Sequence, residues 1–244
     1  MPRLRLAALF LGAALLICAS SASAHRWRAP VFGPHAHPYG QSYGEWGADW
    51  WTWALTQPAD VNPMLDTTGE NCAQGQRGRV WFLAGTFFGD PPAVSRTCTV
   101  PRGKALLFPV LNGFSGATKG DPENEKTEAF HRNRVVSQMR AVSGLHATID
   151  GVAVRHIKAR YFEQSPIFKV VLPDNNLFDL NRDCLPASVE AGCEVFPTVD
   201  AGYYLMVKPL RRGRHTIAFG GSGTQPAPFT VDATYKITVT GHGH

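Results

Sequence analysis

The chain lacks the short signatures that usually mark a hydrolase or a nucleotide enzyme. No G-x-S-x-G elbow occurs, since Gly113-Phe114-Ser115-Gly116 and Gly220-Gly221-Ser222-Gly223 both miss its spacing. H-E-x-x-H and the P-loop are absent too. Its five cysteines never stand in C-x-x-C spacing, which argues against a zinc site. Basic residues are scattered except for Arg211, Arg212 and Arg214, so no nucleic-acid partner is expected. No internal repeat or low-complexity linker divides the chain. Only one long apolar run exists, Leu6 to Ile17, and it falls short of the roughly 20 residues that span a bilayer.

That run is preceded by Arg3 and Arg5 and followed by Ala22-Ser23-Ala24. A basic start, a short apolar stretch and small residues at a cleavage site make residues 1–24 a signal peptide. Ile17, ahead of Cys18, is too large for lipoprotein processing, so Cys18 belongs to the discarded leader. The mature chain then starts at His25, has no transmembrane segment, and is secreted or periplasmic. The formal charge of +5 drops to +3 once Arg3 and Arg5 are gone, a mild excess. Four cysteines remain in an exported chain, which reads as disulfides. Local closure favours Cys72–Cys98 and Cys184–Cys193, contributing about 3.5 and about 2.5 kcal/mol in the chain-entropy view.

Strand signals dominate. From Phe229 to Thr240 apolar and polar residues alternate without error, the pattern of a strand with one dry and one wet face. Asp150-Gly151 predicts a two-residue hairpin turn within Ala147 to Val154, and Arg211-Arg212-Gly213 predicts a hairpin joining Gly202–Leu210 to Arg214–Gly220. Arg79 to Phe88 is apolar on both faces and is expected at the centre of a sheet. Ser95 to Val100, Lys104 to Leu111 and Pro166 to Leu172 are further strands, with Pro109 marking an edge or a bulge. Pro173 to Pro197 reads as an irregular, disulfide-stapled excursion.

Two helices are expected. One covers about Glu125 to Val142. The other begins after Ser42, where Ser42-x-x-Glu45 is a capping-box pattern. Helical spacing puts Tyr43, Trp46, Trp50 and Trp53 on one stripe, with Trp51 and Leu55 on an adjoining face and Glu45 and Asp49 on a third. The expected fold is therefore mainly β: an antiparallel β-sandwich, jelly-roll or Ig-like, with two added helices, in one domain over residues 25–244. A division near residue 144 is the alternative.

His37-Pro38-Tyr39-Gly40, Tyr43-Gly44-Glu45-Trp46, Trp50-Trp51-Thr52-Trp53, Asn62-Pro63 and Cys72-Ala73-Gln74-Gly75-Gln76 form a distinctive series. So do Val80-Trp81-Phe82-Leu83-Ala84-Gly85, Cys98-Thr99-Val100-Pro101, Ile149-Asp150-Gly151, Ser165-Pro166 and Gly213-Arg214-His215-Thr216-Ile217. Together they resemble a family of uncharacterised secreted bacterial proteins. The resemblance implies an exported bacterial protein and transfers no catalytic residue.

Several chemistries remain open. The tryptophan helix has no Lys or Arg on its polar face, so it does not suit an anionic membrane. Packing on the sandwich is its favoured role, with Glu45, Trp46, Trp50 and Trp53 as candidate ligand contacts for a carbohydrate or another envelope component. The alternative of an oxidase rests on copper. The α-amine and imidazole of His25 chelate Cu(II), with His35 or His37 completing the set. His215 should sit on a strand face with Ile217 and Phe219 as a hydrogen-bonded rim residue rather than a catalyst. Glu45 with Asp49, or Asp60 with Asp66, would be the acids of a carboxylate-dependent glycoside hydrolase. A binding or structural module is the favoured function.

Overall fold

The last strand, β10 (Phe229–Thr240), buries Val231, Ala233, Tyr235, Ile237 and Val239 and leaves the residues between them wetter, as its alternation requires. It lies in a five-stranded sheet with β2 (Ala93–Pro101), β9 (Gly213–Gly223), β4 (Ser143–Ile149) and β5 (Val152–Ala153), in the order β2-β10-β9-β4-β5. The other sheet runs β1 (Val80–Phe82), β3 (Ala105–Gly116), β8 (Glu194–Val207) and β6 (Phe162–Gln164), with β7 (Phe168–Val171) also paired to β8. The computed structural model describes residues 28–178 and 192–241.

The two sheets face each other across one core. Leu106, Phe108, Leu205 and Val207 from the first meet Ile217, Phe219 and Tyr235 from the second. Phe108 and Phe219 stack at 4.4 Å between centroids, and Phe219 and Tyr235 at 6.1 Å. The other face of the first sheet carries Leu107, Tyr204 and Met206 and is covered by helix α1 (Tyr43–Leu55). Central strands β3 and β8 are thus buried on both sides. Helix α2 (Glu128–Ala141) starts on Thr127, whose side chain accepts from the Phe130 amide, and sends Val135 and Met139 into the inter-sheet core. A short third helix, α3 (Ile157–Arg160), adds to the two expected.

The mainly β, sandwich-like architecture matches the expectation, with corrections of detail. Pairing is mixed rather than purely antiparallel: β1 runs parallel to β3, and β2 runs parallel to β10 over its full length. Both parallel pairs sit at sheet margins. Arg79–Phe88 forms only the short edge strand β1. Its two-sided burial comes from α1 on one face and the second sheet on the other, not from a central position. Arg211-Arg212-Gly213 does not close a hairpin. It carries the chain from β8 in one sheet to β9 in the other, because β8 already has β3 and β6 as partners. β8 also begins at Glu194, inside the stretch expected to be irregular.

Other expectations hold. Asp150 and Gly151 both take positive φ (50° and 77°) in the β4–β5 turn, as a two-residue hairpin loop demands. Pro109 sits at a bulge, where the register to β8 slips between Pro109 and Leu111. Cys72 and Cys98 are joined in a disulfide. Cys193 is also disulfide-bonded, while its expected partner Cys184 lies outside the described residues. No described helix is long and apolar enough to cross a membrane.

Candidate functional site

Helix α1 starts where the capping box placed it. Ser42 Oγ accepts from the Glu45 amide at 3.2 Å, and Glu45 Oε2 accepts from the Ser42 amide and hydroxyl at 2.7 and 2.8 Å. Those bonds to Ser42 hold the exposed Glu45 carboxyl below its ordinary pKa. Glu45 is therefore occupied as a cap. The residue that packs instead is glycine: a Cβ on Gly44 would lie 2.2 Å from the Gln164 carbonyl oxygen, and one on Gly47 would lie 2.4 Å from Asp200 Oδ2. These two glycines let the helix backbone rest directly on β6 and β8.

Each indole on α1 ties down a different segment. Trp46 donates to the Pro38 carbonyl at 3.0 Å, Trp50 to the Leu83 carbonyl at 3.0 Å, Trp53 to the Gln74 carbonyl at 2.9 Å and Trp51 to Asp200 Oδ1 at 3.2 Å. Trp50 stands edge-on to Trp51 and Trp53, 5.0 and 5.9 Å away. Tyr43, Trp50, Trp51 and Trp53 are buried, whereas Trp46 is half-buried. Packing is thus the main role of Tyr43, Trp50 and Trp53, as the stripe implied, while Trp51 of the adjoining face is buried with them and Trp46 of the stripe is not fully covered.

The helix also separates two concavities. On its outer side runs an open groove of about 730 Å³ between α1 and the 74–79 loop, which leads into β1. Trp46, Trp53 and Phe82 supply its aromatic wall, and Asp49, Gln57 and Arg79 are among its polar groups. Phe82 meets Trp46 at 6.3 Å and Trp53 at 5.4 Å. On the inner side lies a smaller apolar cavity of about 120 Å³ walled by Trp50, Trp51, Phe114 and Met139. Phe88, 63 % exposed with φ 50°, stands at its edge, and Thr86 Oγ1 is buried there without a hydrogen-bond partner.

Of the four sequence-derived ligand contacts, the structure brings Trp46 and Trp53 into the groove. Trp50 faces the inner cavity, and Glu45 lines neither. The groove's Arg77, Arg79, Gln57 and Gln74 were missed, since a polar loop beside Gly75 and Gly78 carries no motif. His35 and His37 lie close enough to Glu163 to oppose the upward shift that burial gives its carboxyl. Among the described residues no group of three His, Cys, Asp or Glu side chains gathers as metal ligands, and His25 lies outside them. The carboxylate pairs have local duties. Asp66 accepts the amides of Thr68, Gly69 and Asn71, and Asp60 accepts from Asn175. Burial pushes the Asp66 carboxyl up, but these bonds outweigh it and hold it below its ordinary value. His215 is fixed between Asp150 Oδ2 and the Arg211 carbonyl, both at 2.8 Å, as a rim residue.

Behind α1 lies a buried polar chain with no sequence signal. Asn112 donates to Tyr204 Oη at 2.9 Å, and Tyr204 donates to Asp200 Oδ1 at 2.7 Å. Asp200 Oδ2 has no hydrogen-bond partner. Burial drives the Asp200 pKa up to about 8 against the opposing bonds from Tyr204 and Trp51, so the carboxyl is mostly neutral at pH 7. A second buried pair, Ser115 Oγ and His131 Nδ1 at 2.8 Å, joins β3 to α2. Burial depresses that imidazole's pKa below its ordinary value.

No known protein family, curated protein or solved structure matches the chain.

Proposed function

We propose that the chain is an exported binding module whose groove along α1 holds a carbohydrate of the bacterial envelope. The observation that carries the reading is the half-buried Trp46, set with Trp53 and Phe82 beside Asp49, Gln57 and Arg79 in an open furrow. Sugar rings present apolar faces and polar rims, and a ligand site that mixes aromatic walls with a few fixed polar groups serves both. An open furrow of about 730 Å³ suits an extended chain better than a small enclosed substrate. Export is supported by the leader pattern of residues 1–24, by the Cys72–Cys98 disulfide, and by the resemblance to secreted bacterial proteins.

Trp46→Ala tests the reading. Trp46 is the least buried indole of α1, so the variant should fold. It should lose retention on the cell-wall polysaccharide fraction in affinity electrophoresis. Unchanged retention of a folded Trp46→Ala protein removes the groove from consideration.

A further inference from the structure

Nine of the twenty described lysines and arginines gather at one end of the sandwich. Val80 pairs with Ala105 and Leu106 with Val207, so β1 and β3 start where β8 ends. In the second sheet Pro101 pairs with Thr240 and Val239 with Gly213, so β2 and β10 end where β9 starts. The β2–β3 and β8–β9 connections both cross between sheets there, which fixes this as one end of the sandwich. Arg77 and Arg79 lead into β1 at that end, and Arg102 and Lys104 make up most of the β2–β3 connection. Lys208, Arg211, Arg212 and Arg214 occupy or flank the β8–β9 connection. Arg28 joins them, since Lys208 donates its amide to the Pro30 carbonyl and Val31 bridges Val207. The β2–β3 and β8–β9 connections contain no acid, and Asp150 of the nearby β4–β5 turn faces His215. At the opposite end the β3–α2 connection mixes Asp121, Glu123 and Glu125 with Lys119 and Lys126, and Glu128 opens α2. A mild net charge therefore conceals a strongly basic pole.

The groove opens onto that pole. Arg77 and Arg79 line it against a single carboxylate, Asp49, which accepts from Gln41, and Lys104 of the pole donates to the carbonyl of Gly78 in the groove wall. β1 and β8 are two strand spacings apart, roughly 10 Å. Each is one spacing, roughly 5 Å, from β3, inside the Debye length of about 8 Å at physiological ionic strength, so the fields of cations entering neighbouring strands add. Most of the cations are arginines, whose planar fork binds oxyanions in two-point contacts.

Resting on the groove reading, we infer that the ligand is an anionic polysaccharide, carrying carboxylate groups along its chain, which runs from the aromatic furrow onto the arginine pole. A bilayer surface fits less well. A flat surface cannot enter the furrow, whereas a single polymer chain can lie along it.

The test uses the mature protein with polygalacturonate and with its fully methyl-esterified form, which has the same backbone without charge. Calorimetry should show tight binding to the first, weakening as NaCl rises from about 0.05 to about 0.5 M. Binding to the ester should be about tenfold weaker, and Arg211→Ser/Arg212→Ser/Arg214→Ser should lower affinity for polygalacturonate by about tenfold without changing Tm. Trp46→Ala should weaken binding to both polymers. Equal binding of acid and ester, lost in Trp46→Ala, overturns the charge inference and leaves the groove. Loss in the triple variant alone, with Trp46→Ala unaffected, refutes the groove, and the inference falls with it. Binding to neither polymer overturns it, as does equally tight binding to duplex DNA or to phosphatidylglycerol vesicles.

Discussion

Asp200 offers the sharpest check on the interior. Its carboxyl is fully enclosed between β8 and α1, and burial lifts its pKa from 3.8 to about 8. In the unfolded chain the same group releases its proton near about pH 4. Between those values the native state binds more proton than the unfolded state. The contribution of this group is therefore complete in acid and is lost as pH rises toward 8, at about 1.4 kcal/mol per pH unit. Over the interval from about pH 5 to about pH 8 the loss is about 4 kcal/mol, a large share of the roughly 5–15 kcal/mol that holds a domain together. Asp200→Asn keeps an oxygen for Tyr204 and Trp51 and never ionises. The variant's stability relative to the parent should thus rise with pH at that slope and level off above about pH 8. Urea unfolding of both proteins across this range measures the difference, and the subtraction removes every other titrating group. A difference that stays constant with pH would show that Asp200 is already ionised in the fold, and the reasoning would fail.

Two further outcomes follow from the docking of α1. Trp50→Ala removes a fully buried indole and leaves the Leu83 carbonyl without its donor, so stability should fall by about 3–5 kcal/mol, read as a large drop in Tm or loss of secreted protein. Gly47→Ala would raise helix propensity by about 1 kcal/mol in isolation, yet its methyl meets Asp200 and Tyr204. Net destabilisation of about 1–3 kcal/mol is expected by thermal melting, and a stabilised variant would refute the close approach.

Features written in local sequence were legible. Ser42 and Glu45 specified the helix start because a capping box involves only residues three apart. The alternation of β10 specified its dry face, and Asp150-Gly151 specified the β4–β5 turn because positive φ selects those residue types. Pairing partners were not legible. Arg211-Arg212-Gly213 has hairpin chemistry, but a turn that steps between sheets uses the same residues. Which occurs depends on whether β8 has partners elsewhere. The contact of Trp51 with Asp200 spans 149 residues, and no window of sequence contains both. Half of the candidate groove was readable as the tryptophan stripe. The other half, Arg77 and Arg79, came into view only when β1 was placed at the sheet edge.

The seat of α1 has a consequence for the order in which the chain can fold. The helix lies near the beginning of the chain, but the surface it rests on is built by β3 and β8, and β8 ends at Val207. A chain that emerges from its N-terminus therefore presents four indoles long before their resting place exists. Loop closure over such separations is slow compared with local helix formation. The helix can coil early on its own cap, but its indoles find Asp200 and the rest of their platform only after β8 has paired with β3. Any chain cut short before β8 leaves the tryptophan face exposed, which is the kind of surface that chaperones and proteases engage.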